Sequence, residues 1–131
     1  MDAKNGCGCG CGAAVKLIFA CSGAADVGEI ADRAARKMTR EGKGKMFCLA
    51  GIGGRVSGIM ATTQAAQKIL ALDGCPLDCV RHSLEQAGFG QFEHLCITDM
   101  GMEKGKTSVS EENIARVAAK CVELMREDVG A

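Results

Sequence analysis

Short apolar runs of strand length alternate along this chain with segments of helical spacing, and no other feature limits its fold so tightly. Residues 15–20, 45–50, 68–73 and 92–98 read as strands, although 68–73 is also open to reading as a continuation of the segment before it. Between and after them, Val27, Ile30, Ala31, Ala34 and Met38 keep helical spacing, residues 57–66 suit a short helix, and Ile114, Val117, Ala118, Cys121, Leu124 and Met125 form one apolar stripe. Asp26, with Glu29 three residues on, is placed to cap the first helix, and Ser108 or Ser110 to cap the last. A β-α-β-α order of this kind implies strands running the same way, with helices covering both faces. The expected class is therefore α/β: a three-layer sandwich on a mostly parallel, Rossmann-like sheet of about four strands.

At 131 residues the chain suits one domain. Residues 13–131 are expected to form it, preceded by a tail over residues 1–12 in which Cys7, Cys9 and Cys11 alternate with glycine and offer little to pack. Formal net charge is zero and the aromatic residues are four Phe, which argues against nucleic acid as a partner. No apolar run approaches the ~20 residues of a membrane span. Ile18-Phe19-Ala20-Cys21 superficially resembles a lipoprotein cleavage box, but Lys16 interrupts its apolar run and no basic segment precedes it, so it reads as the first buried strand. The expectation is a cytoplasmic protein with no membrane partner. In that reducing setting its nine cysteines point to metal binding or thiol chemistry before cross-linking.

Ligands in parallel α/β folds sit beyond the carboxyl ends of the strands. Cys21 and Cys75 follow the first and third apolar runs directly. Pro76 suits the first position of a helix reaching about residue 87, which would place Cys75 and Cys79 one turn apart at its start, off a core stripe of Leu77, Val80, Leu84 and Ala87. A helix start favours thiolates. Cys48 lies near the end of the second run and can reach the same cleft. Cys96, between apolar neighbours, and Cys121, on an apolar stripe, read as core residues. The segment Gly51-Ile52-Gly53-Gly54-Arg55 reads as a flexible turn rather than a phosphate loop, since it lacks the Lys-Ser/Thr of one. His82 reads as a surface residue.

Asp73-Gly74-Cys75 followed by Pro76-Leu77-Asp78-Cys79, with Cys21-Ser22-Gly23 and the glycine-rich stretch after Cys48 upstream, resembles the DGC-domain family over about residues 15–125. That resemblance implies a chelating set of Cys21, Cys48, Cys75 and Cys79 and zinc as the metal; it does not extend to the Cys-Gly tail. Two other readings stand beside it: a thiol-dependent redox or sulfur-transfer enzyme using Cys75 or Cys21, and an interaction module in which the metal is structural.

Overall fold

The computed structural model describes residues 15–126. Its elements are β1 (Lys16–Ala20), α1 (Asp26–Arg40), β2 (Lys45–Met46), α2 (Leu49–Gly53), α3 (Ser57–Gln64), β3 (Lys68–Asp73), α4 (Cys79–Gln86), β4 (Glu93–Cys96), a short 3-10 helix (Ile97–Met100) and α5 (Glu111–Leu124). The strands form a four-stranded sheet in the order β2-β1-β3-β4. Every pairing is parallel, as the alternation implies.

Side-chain alternation along β1 and β3 divides the core into two layers. Ile18, Ala20, Leu70 and Leu72 face α1 and α5, where Ile30, Ala34, Met38, Val117 and Cys121 meet them. Leu17, Phe19, Ile69 and Ala71 face the other way, against Ile52, Val80 and Leu84. The small residues Ala31, Ala34 and Ala35 are all fully buried, which lets α1 lie close to the sheet. The expected core role of Cys96 and Cys121 holds: both are buried, and burial pushes the Cys121 thiol up to about 12.

Four local expectations need correction. The second strand stops at Met46, and residues 49–53 turn helical, so the stretch around Gly51-Ile52-Gly53-Gly54 is helix rather than open turn. β2 is an edge strand paired only with β1, and short edges of this kind offer little to a foreign strand. The Arg55 guanidinium donates to the carbonyls of Ile52 (2.7 Å) and Gln86 (3.0 Å), tying α2 to the end of α4. Helix α4 begins at Cys79, not Pro76, with Asp78 in the left-handed region (φ 54°) before it. Cys75 and Cys79 therefore do not share a helical turn, and Leu77 is 64% exposed instead of lying in the core stripe. Asp26 is the first residue of α1 and not its N-cap; besides the Val27 N–H (2.7 Å), its carboxylate accepts the N–H groups of Gly105 (2.8 Å) and Thr107 (2.9 Å) from a distant loop. Ser110 does cap α5, accepting from the Asn113 N–H at 3.1 Å.

Candidate metal centre

The sheet order places its switch point between β1 and β3, whose chains leave in opposite directions, to α1 and to α4. In folds wound this way the crevice beyond those two strand ends is where ligands bind. Cys21 follows β1 and donates its N–H to the Leu72 carbonyl at 3.1 Å, so it stays in register with the end of β3. Cys75 follows β3 two residues after Asp73. Both are half-buried.

Each residue of Asp73-Gly74-Cys75 has a separate task. Asp73 is buried to 1% exposure, and its carboxylate accepts the N–H of Val80 (2.8 Å) and of Arg81 (3.2 Å). These are first-turn amides of α4, unpaired within the helix itself, so Asp73 fixes where that helix begins. Gly74 lies against the first turn of α1: a Cβ there would stand 2.9 Å from the Val27 carbonyl carbon and oxygen and 3.0 Å from the Gly28 nitrogen. Gly28 in turn could carry no Cβ without meeting the Gly23 oxygen at 2.7 Å. Three backbone segments, 21–23, 27–28 and 73–75, thus touch with no side chain between them, and that contact brings the Cys21 and Cys75 turns together. Cys75 itself meets Lys104, whose Nζ is 3.7 Å from its Sγ.

The other two cysteines sit at helix starts and are more exposed. Cys79 opens α4. Its thiol is pushed up, first by partial burial, then by the charges of Asp73, Cys21 and Cys75, while Lys104 opposes the shift. Cys79 is thus within electrostatic reach of both switch-point cysteines. Cys48 caps α2, its sulfur accepting the Gly51 N–H at 3.3 Å. Cys48 and Cys21 line one cavity of about 530 Å3, together with Ser22, Asp32, Arg36 and Phe47. Cys21 therefore belongs to both neighbourhoods. No trio drawn from these four cysteines has all its sulfurs within 4.8 Å of one another among the described residues, so a shared ion would have to draw them closer. Cys7, Cys9 and Cys11 lie outside the described residues.

The turn that presents Cys21 is braced from α1. Ser22, in the left-handed region (φ 52°), donates its hydroxyl to Asp32 Oδ1 at 2.7 Å, and Arg36 Nε donates to Asp32 Oδ2 at 2.7 Å. Partial burial raises the Asp32 carboxyl, but the bonds from Arg36 and Ser22 outweigh it and the net shift is downward. In the first turn of α1, Asp26 is held below the usual carboxylate range, chiefly by the N–H groups of Gly105 and Thr107. A depressed folded pKa contributes stability that is complete above the unfolded value near 3.9 and is lost as pH falls through the folded one. The Gly105 and Thr107 amide resonances are therefore expected to move together on acidification, with a midpoint below pH 3.9, and to lose that transition in Asp26→Asn. A midpoint at or above the ordinary aspartate value would contradict the clamp.

One group was not anticipated from the sequence. The ligand atoms of Asp73, Asp78 and His94 lie within 4.8 Å of one another, an arrangement compatible with holding a metal ion. His94 Nε2 is 2.9 Å from Asp73 Oδ2 and 3.5 Å from Asp78 Oδ1. Arg81 Nη2 stands 3.0 Å from Asp78 Oδ2, so one carboxylate already has a cation. The sole sequence signal was a histidine in a strand beside Leu95 and Cys96, too weak to point to Asp73. His82 is exposed, as expected.

Comparison with known proteins agrees with this architecture. Residues 17–121 match the model described as DGC domain. The chain is also similar to a Pseudomonas aeruginosa protein described as "Anaerobic and virulence modulator AnvM", 36% identical over 88 residues, which is 67% of either chain. No solved structure matches it. No helix among the described residues is long and apolar enough to cross a membrane.

Proposed function

The chain belongs to the DGC-domain family, and from that premise we propose that Cys21, Cys48, Cys75 and Cys79 bind a soft metal ion, zinc foremost, at the carboxyl ends of the strands. The observation that carries this reading is the bare backbone contact among segments 21–23, 27–28 and 73–75, which sets the turns of Cys21 and Cys75, at the ends of two different strands, side by side. Sulfurs close enough to oppose one another's ionisation are relieved when a cation joins them, since metal ligation requires the thiolate form. The donor set fits zinc: thiolates are its usual structural ligands, and the fourth sulfur, Cys48, shares a cavity with Cys21. The rival donor group, Asp73, Asp78 and His94, is harder in character. Its members already bind α4 amides and Arg81, so we assign it to holding the fold. A cytoplasmic setting would keep the cysteines reduced.

The test is elemental analysis of full-length protein purified without chelators or metal-affinity resin, beside Cys75→Ser and Cys79→Ser. About one zinc per chain in the parent and a several-fold loss in both variants is the expected result. A metal-free parent whose thiols all titrate freely would sink the reading.

One observation favours a second reading, a thiol-dependent redox or sulfur-transfer enzyme: Lys104 stands beside Cys75. A neighbouring ammonium is a common companion of nucleophilic thiolates. On that reading Cys75 of metal-free protein alkylates far faster than Cys21 near neutral pH; equal, slow rates would count against it.

A further inference from the structure

The loop from β4 to α5 is tied to the cleft at points its own packing does not require. Met102 is buried in the core at its start. Gly101 and Gly105 take positive φ (85° and 86°), turning the chain on either side of Glu103 and Lys104. Thr107 closes the turn internally by donating its hydroxyl to the Glu103 carbonyl at 2.7 Å. Beyond these internal bonds, both Asp26 oxygens are used on this loop, one on the Gly105 N–H and one on the Thr107 N–H. Asp26 sits in the first turn of α1, directly after the Cys21 turn, so its carboxylate joins the loop to the cleft wall. Lys104, adjacent to the clamped Gly105, then reaches Cys75 Sγ at 3.7 Å.

We propose that Lys104, held over Cys75 by the Asp26 clamp, is a positioning residue that offsets the negative charge of the cysteine cluster and directs anionic partners to Cys75. The proposal rests on the metal-binding reading only in part. Four thiolates around one divalent ion leave excess negative charge in the crevice, and Asp73, buried two residues from Cys75, adds more. An unanchored surface lysine spreads over many rotamers and offsets little. Here the backbone beside Lys104 is fixed, and only its side chain remains to be ordered.

The decisive measurement compares two alkylating agents on metal-free full-length protein. Iodoacetate is anionic and iodoacetamide neutral, and the thiolate attacks the CH2 carbon of each and expels iodide, so the ratio of their rates at Cys75 cancels the thiolate fraction and reads the local field. Lys104→Met is expected to lower that ratio about fivefold, with Lys104→Arg restoring it. The parent's preference for iodoacetate should fade on going from about 0.01 M to about 1 M salt. Asp26→Asn keeps the lysine but loosens the loop, and its ratio should fall toward that of Lys104→Met. An unchanged ratio in Lys104→Met overturns the proposal, and a parent-like ratio in Asp26→Asn overturns the clamp. A parent that takes up no zinc defeats the metal reading alone, because the alkylation ratio still decides the role of Lys104.

Discussion

Asp73→Asn is expected to lower the stability of the protein by about 3 kcal/mol, or roughly 10 °C in melting temperature for a domain of this size. The carboxylate is buried and accepts from three donors: the N–H groups of Val80 and Arg81 and the Nε2 of His94. An asparagine offers one oxygen and one NH2 in the same space, so at least one donor is left facing another donor. A buried donor without an acceptor costs about 1–3 kcal/mol, and loss of the charge weakens the bonds that remain. The substitution should also be felt in the cleft. Burial is the larger cause of the raised Cys79 thiol and the Asp73 charge the next, so removing that charge lets Cys79 ionise more readily. Thermal unfolding and the alkylation rate of Cys79 should therefore move in opposite senses. A variant with parent-like stability would show that the α4 start does not depend on Asp73.

Gly74→Ala should be nearly as damaging for a different reason, costing about 1–3 kcal/mol by overpacking. No positive φ is involved; the methyl group would stand 2.9 Å from the Val27 carbonyl, a backbone atom that cannot rotate away. The neighbouring contact of Gly28 with the Gly23 backbone limits how far the first turn of α1 can retreat. Either α1 shifts outward or β3 ends early, and both separate the Cys21 turn from the Cys75 turn. Metal content should fall along with stability, whereas Gly90→Ala, with open space around its Cβ position, should change neither. Full metal retention in Gly74→Ala would mean that the close contact is not what aligns the two cysteines.

The sequence by itself determined the class of fold. Alternating apolar runs and helical stripes are properties of neighbouring residues, governed by side-chain periods of two and 3.6, and they required a parallel sheet sandwiched between helices. They also made Cys21 and Cys75 residues of strand ends, because each stands directly after a strand-length run, and they consigned Cys96 and Cys121 to the core. Local signals failed where a distant partner held the deciding bond. Pro76 is a sound helix start on propensity alone, yet α4 begins at Cys79 because Asp73, six residues earlier, takes the Val80 and Arg81 amides. Asp26 carries the signature of a cap, yet its oxygens go to Gly105 and Thr107. His94 gave only a weak sequence signal and Lys104 none, since a histidine in a strand and a lysine in a loop acquire meaning only from what they face. Strand order lies beyond local pattern too: it set β1 beside β3, and with them Cys21 beside Cys75, through pairings more than fifty residues apart along the chain. Periodicity fixes which residues turn inward, but only packing across the sheet decides which of them meet.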